Sequence, residues 1–317
     1  MPHWSRRMSS MLSTQRFAAL TRSWPPWWPA AIAVILTLPF AVFCFGLTLA
    51  GSVAFDWRIY MMAGELAWSG GDLYGWSDIY GFVYSPLFAY GFPAISWIGP
   101  DLWRIAHLGA ALALPTWPTR VITLVSWPFW SDVQNGNLFV FVLLAAVWGL
   151  RGSRLAALTY LGMFLLMPRP LMVPVAVWLL YARPDIRWMF GAMTALSLVG
   201  VMASGYLGLW VTRLMESPDI STSTANFALT RFIGQWWLLI GLPLGVWLTW
   251  RARLGWASLA VSPYLLSQYF LMGILELLPK PTSTPDLVGE RAKALGPIPA
   301  VEDTKPTEPR DRRAGVS

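Results

Sequence analysis

Asp56 is the residue whose type and setting offer most chemistry. It opens FDWRIYMMAGELAWSGGDLYGWSDIYGFVYSPLFAYGFP, Phe55 to Pro93, directly after the first long apolar run, Pro29 to Ala50. Four of the chain's 16 acidic residues lie here, Asp56, Glu65, Asp72 and Asp78, against one arginine, Arg58. Six aromatic residues follow Phe55 before Gly81: Trp57, Tyr60, Trp68, Tyr74, Trp76 and Tyr80. A carboxylate at the mouth of a membrane span, partly desolvated by aromatic rings, can take a proton from a sugar hydroxyl. The simpler role for Asp56 is to cap the helix it opens, and position alone leaves both roles standing. Glu65 falls mid-helix and suits a solvated face, while Asp72 follows Gly70-Gly71 and suits a turn.

Arg169 is the second residue of interest. It stands between Pro168 and Pro170 at the tip of a hairpin whose arms, Leu155–Met167 and Leu171–Ala182, are apolar. A guanidinium there either snorkels as an anchor or grips a pair of phosphate oxygens. Charges at membrane depth point by default to function. Gln134-Asn135-Gly136-Asn137, at the entrance of another apolar run, is either a turn with a cap or a group of amides for a hydroxylated ligand. His107 is expected to hydrogen-bond between helices. With His3 the only other histidine and Cys44 the only cysteine, an imidazole or thiolate metal site is not expected. No phosphate-binding glycine loop, dinucleotide fingerprint or G-x-S-x-G elbow occurs, so no nucleotide cofactor is expected.

The elements that must position these residues are membrane helices. The chain is 56% hydrophobic and only 12% charged, which excludes an ordinary soluble globular protein. Its apolar runs are continuous rather than alternating, which favours helices over a barrel, and its 21 tryptophans suit interfacial belts. The net charge of +7 comes from arginines flanking apolar runs, with no lysine before Lys280, so no nucleic-acid partner is expected. The spans read as Pro29–Ala50, Phe82–Pro100, Ile105–Thr119, Leu138–Leu150, the two hairpin arms, Trp188–Tyr206, Trp236–Trp250 and Trp256–Leu278. The last is interrupted at Ser262-Pro263 and either crosses or folds back. Residues 57–69 read as a short interfacial helix, 120–137 as a Trp/Pro-rich outer segment and 207–235 as a second outer loop.

Inner segments under this assignment carry eleven arginines and two acids, and outer segments five arginines and seven acids. That bias sets the N-terminus in the cytoplasm and the acidic loop outside. The expected organisation is a basic cytoplasmic segment, 1–28, an all-α polytopic bundle of about eight to ten membrane helices, 29–278, and a disordered tail, 279–317.

Asp56-Trp57-Arg58-Ile59-Tyr60, Gly70-Gly71-Asp72-Leu73-Tyr74 and Phe82-Val83-Tyr84-Ser85-Pro86, with Phe92-Pro93 downstream, resemble the first outer loop of glycosyltransferase family 87. These are integral-membrane enzymes of the GT-C superfamily. Gly136-Asn137 is similar to that family's Gly-Gln-x-Asn entrance, Pro168-Arg169-Pro170 to its Lys-Pro hairpin tip, Ser262-Pro263-Tyr264 to a late Ser-Pro element, and Asn226 to an asparagine of the second outer loop. The resemblance spans about residues 30–275. It departs in Asn137 for glutamine, in Arg169 for lysine and in an abbreviated C-terminal membrane half.

The resemblance implies a GT-C-like fold in the plasma membrane with an outer-face active site. It implies a mannosyltransferase-like transfer of a hexose from a polyprenyl-phosphate donor to a lipid or glycan acceptor, with no nucleotide and no cofactor. Asp56 would be the general base and Arg169 would hold the donor phosphate. Substrate contacts would fall on Arg58, Tyr60, Asp72, Tyr84, Gly136, Asn137 and Asn226. The alternatives are a non-catalytic transporter or lipid-handling protein, and an inactive family member.

Overall fold

The computed structural model of the chain describes residues 28–51, 54–75, 82–95, 97–215 and 226–279. The basic N-terminal segment, Trp76, Asp78, Tyr80, residues 216–225 and the charged tail from Lys280 lie outside the described residues. Among the described residues the chain is all helical, with 14 α-helices and no strand. The first seven are α1 (Trp28–Leu49), α2 (Phe55–Ser69), α3 (Pro86–Gly91), α4 (Pro100–Leu112), α5 (Trp117–Val125), α6 (Trp127–Asn135) and α7 (Phe139–Leu150). There follow α8 (Arg154–Leu166), α9 (Val173–Ala182), α10 (Arg187–Ala203), α11 (Leu207–Met215), α12 (Thr230–Ile233), α13 (Trp237–Trp250) and α14 (Leu254–Ala260). A 3-10 stretch, Ser267–Leu277, completes the series.

Three helical stretches are long and apolar enough to cross a membrane: Trp28–Leu49, Pro184–Ala203 and Thr230–Trp250, of 22, 20 and 21 residues. Twenty residues rise about 30 Å, the thickness of the hydrocarbon layer. Each turns most of its apolar side chains outward, among them Leu36 and Phe43 on α1, Leu196 and Val199 on α10, and Leu239 and Val246 on α13. Water would penalise so large an exposed apolar surface, whereas lipid tails are as apolar as leucine. These helices mark a membrane protein.

The core is built around α7. It is apolar on all sides, as a helix covered over most of its surface should be, and Val140, Val142, Leu143, Ala146 and Val147 are completely buried. Gly149 lets α8 approach closely, since a Cβ there would sit 3.0 Å from the Ala157 Cα. The hairpin of α8 and α9 closes at its far end, where Arg183 Nη1 donates to the Gly152 carbonyl at 2.8 Å. Pro168-Arg169-Pro170 is therefore its tip.

Several expected spans take another form. Phe82–Pro100 is not one span: Ser85 caps the six-residue α3 by accepting the Leu87 N–H. A 3-10 turn, Phe92–Ile95, follows it. Proline at position 93 cannot donate to the preceding turn, so the α-helix ends. Ile105–Thr119 is broken after Leu112, because Thr116 caps a new helix with Pro118 in its first turn. The Trp/Pro-rich outer segment 120–137 is helical over most of its length, with Ser126 capping α6 in the same way. Residues 207–215, expected in a loop, form α11. The last apolar stretch folds back. Glu276 accepts from Arg253 Nη1 at 2.9 Å and from the N–H groups of Gly255 and Trp256 at 3.0 and 3.3 Å.

Candidate functional site

Asp56 lies in the first turn of α2, but it does not cap it. Ala54 is the N-cap residue and supplies no side-chain bond. The Asp56 carboxylate instead accepts the Asn137 side-chain amide, Nδ2 to Oδ2 at 2.6 Å. Burial pushes Asp56 up from 3.8 to about 6, against the opposing pull of the Arg169 charge and the Asn137 hydrogen bond. Of its carboxylate oxygens, Oδ2 is the one that Asn137 holds, and the side chain keeps partial exposure. A carboxylate with a pKa near 6 is a serviceable base close to neutral pH.

Gly136 explains how Asn137 reaches it. Gly136 ends α6 in the left-handed region, φ 68°. A Cβ there would sit 2.7 Å from the Ala54 Cβ and 3.0 Å from the Trp57 Cβ. Only glycine meets both demands, so this residue brings the α6–α7 corner against the start of α2. Asn137 is then fixed from both ends: its Oδ1 accepts the Leu138 N–H at 2.7 Å, and its own N–H donates to the Asp132 carbonyl at 3.0 Å. The Gly136 carbonyl accepts the Trp103 indole N–H at 3.0 Å.

Tyr60, one turn beyond Asp56 on the same face, is fully buried. Its hydroxyl lies 3.5 Å from both Asn137 Oδ1 and the Tyr84 hydroxyl. Tyr84 is held by Tyr74, whose hydroxyl donates to the Tyr84 carbonyl at 2.8 Å. The string ends on Arg169: its Nη2 donates to the Tyr84 hydroxyl and its Nη1 to the Tyr264 hydroxyl. Asp56 and Arg169 therefore belong to one constellation, with the side chains of Asn137, Tyr60 and Tyr84 between them.

Arg169 takes an extended backbone, φ −119° and ψ 134°, as a residue before proline should. Its guanidinium carbon lies 4.8 to 5.8 Å from the ring centres of Tyr84, Phe139, Tyr264 and Tyr269. Its Nε is buried without a hydrogen-bond partner, and among the described residues no carboxylate forms an ion pair with it. A charge that cannot be shed is thus surrounded by phenols and π-faces, a setting that accommodates an incoming anion.

The other expected contacts divide. Gly136 and Asn137 build the site, and Tyr60 and Tyr84 line it. Asn226 is buried but acts at one remove: its Oδ1 accepts the Ala228 and Leu265 N–H groups, both at 2.9 Å, and so pins the loop that carries Tyr264. Asp72 is exposed and accepts the Gly75 N–H at 2.8 Å, a turn role. Arg58 is exposed on α2 and makes no side-chain hydrogen bond or ion pair to these residues. Tyr269 was not singled out by sequence reasoning; it lies in an apolar run where an aromatic reads as core. His107 links α4 to the α6–α7 corner, its Nε2 2.8 Å from the Asn137 carbonyl.

Among the described residues no group of three His, Cys, Asp or Glu is placed to hold a metal. A shallow hollow of about 40 Å³ lies at the opposite end of α7, lined by Arg151, Arg253 and Glu276 among others. No protein-family model, no curated protein and no solved structure matches this chain.

Proposed function

We propose that the protein is a membrane glycosyltransferase of the GT-C type, similar to family 87, that moves a hexose, mannose in the first instance, from a polyprenyl phosphate to a lipid or polysaccharide acceptor. The observation that carries this reading is the shared constellation of a partly exposed carboxylate, pKa about 6, and an arginine that has no carboxylate partner among the described residues.

In this reaction the acceptor hydroxyl gives its proton to Asp56 while its oxygen attacks the anomeric carbon from the face opposite the phosphate. The carbon–oxygen bond to phosphate breaks, its electron pair stays on the phosphate oxygen, and polyprenyl phosphate leaves with its added charge next to Arg169. The sugar is inverted, no cofactor is consumed, and the phosphate meets a fork of N–H donors. Asn137 keeps the base in one orientation.

The proposed setting is the plasma membrane, with the shorter apolar helices α7, α8 and α9 packed beside the three long stretches, the N-terminus in the cytoplasm and Asp56 outside. Support comes from the arginines assigned to the inner face. Arg151 and Arg253 line one hollow, and Arg183 bonds to Gly152, at the end of α7 away from Asn137. At ~1.5 Å per residue the 12-residue α7 separates the two ends by roughly 18 Å.

The test is incubation of purified protein with radiolabelled polyprenyl-phosphate mannose and membrane lipids. Labelled glycolipid from the unaltered protein, and none from Asp56→Asn at equal expression and folding, is the expected result. Donor binding with no product from the unaltered protein would replace the enzyme with a lipid-handling protein.

A further inference from the structure

The sequence offers two histidines, and His107 is completely buried directly behind Asn137. Its two ring nitrogens each face a backbone carbonyl: Nδ1 is 2.8 Å from the Trp103 oxygen and Nε2 is 2.8 Å from the Asn137 oxygen. Carbonyl oxygens only accept hydrogen bonds. A neutral imidazole has one N–H and one lone pair, so either tautomer would aim a lone pair at an oxygen within hydrogen-bond distance. Only the imidazolium, with two N–H groups, satisfies both contacts.

The countercharge is in place. Asp132 on α6 is completely buried, and its Oδ2 lies 3.7 Å from His107 Nε2. The Val140 N–H donates to Oδ2 at 2.9 Å and the Phe139 N–H to Oδ1 at 3.3 Å, both from the first turn of α7. Burial raises Asp132 to about 8 against the pull of these two N–H groups, and lowers His107 to about 4 against the pull of the Trp103 and Asn137 carbonyls; the opposite charge of each partner works against both shifts. The backbone groups that reach its oxygens are both donors, which suits a carboxylate. The positive end of α7 favours the same form. The rings of Trp103 and Phe141 close over the imidazole at 5.4 and 4.9 Å. Asp56 is the other ionisable group that acts on Asp132.

We propose that His107 is held as a buried imidazolium paired with the Asp132 carboxylate, and that this pair positions Asn137, and through it Asp56. Asp132 ties down the N–H groups after Asn137, and His107 ties down its carbonyl, so the side-chain amide has one direction left, toward Asp56 Oδ2. The pair acts as a positioning device and touches no substrate. Its role in catalysis rests on the transferase reading; its protonation state does not.

Because the only other histidine is His3, a His3→Ala chain labelled with [15N]histidine reports on His107 alone. At neutral pH the expected spectrum shows two protonated-type ring nitrogens. Asp132→Asn should convert one of them to the lone-pair type; if that variant does not fold, the spectrum of the chain with Asp132 intact decides by itself. A lone-pair nitrogen in that chain at neutral pH overturns the pair. For the positioning half, the Asp56 carboxyl titration is read as the 13C difference spectrum against Asp56→Asn. His107→Gln should move its midpoint above the value near 6 as Asn137 is released. An unmoved midpoint in folded His107→Gln protein refutes positioning. Neither readout needs turnover, so absence of transferase activity would defeat the functional proposal and leave this one intact.

Discussion

Asn137 donates its amide to Asp56 at 2.6 Å across 81 positions of chain, and this single bond decides which way the base faces. Removing it should raise the Asp56 pKa, because the hydrogen bond favours the charged form. Transfer requires ionised Asp56, so its rate should fall as pH drops through about 6. In Asn137→Ala that fall should begin at higher pH, which a pH profile of kcat/KM would read. An unshifted acidic limb would dissociate Asn137 from the base.

Asp56 also burdens the fold. Its folded pKa, about 6, exceeds the ordinary 3.8, so the folded state prefers the protonated form and loses stability as pH rises from about 4 through 6. The loss at neutral pH is on the order of 3 kcal/mol. Asp56→Asn should therefore be more stable than the parent at pH 7 and lose that advantage below pH ~4. Thermal unfolding in detergent at the two pH values measures it.

Gly136→Ala should harm both stability and transfer. The left-handed backbone costs an alanine ~1–2 kcal/mol, and its Cβ would press on Ala54 and Trp57. Gly205 provides the comparison: it also has a left-handed backbone, φ 74°, but a Cβ there meets nothing within 4 Å. Gly205→Ala should show the backbone cost alone and keep activity.

Arg169→Lys keeps the charge and loses the planar fork. Donor KM should rise about tenfold, equivalent to ~1.4 kcal/mol, with acceptor KM unchanged. Steady-state kinetics varying each substrate in turn gives both. Donor KM unchanged from the parent in Arg169→Ala would reduce Arg169 to a membrane anchor.

Asn226→Ala should resemble a weakened Arg169 without touching it. It leaves the buried Ala228 and Leu265 N–H groups without an acceptor, at about 1–3 kcal/mol each, and frees the loop that holds Tyr264. Unfolding midpoints and donor KM should worsen together.

Asp56, Arg169 and Asn137 were legible because charge and amide groups stand out in an apolar sequence, and their order along the chain placed them at helix ends. Span boundaries were less legible, because hydropathy does not register caps. Thr116-Trp117-Pro118 and Ser126-Trp127-Pro128 each begin a helix, with a hydroxyl cap and proline in the first turn. Read as a pair, they would have split the expected span and placed helices in the outer segment. Tyr269 and Phe139 were beyond reach: nothing in an apolar run distinguishes an aromatic that stacks on a distant arginine from one that fills the core. Asp132 was visible only as an acid of the outer segment, since its burial depends on a helix that sequence reading did not place there.

The return of Glu276 to Gly255 and Trp256 gives the end of the membrane region a disproportionate importance. A stop codon after Ala260 would delete Tyr264 and Tyr269 together and open the enclosure around the guanidinium from one side. One placed after Pro279 would leave every contact described above untouched. The nineteen residues between the two stops thus separate a harmless trim from the loss of two rings that face the guanidinium.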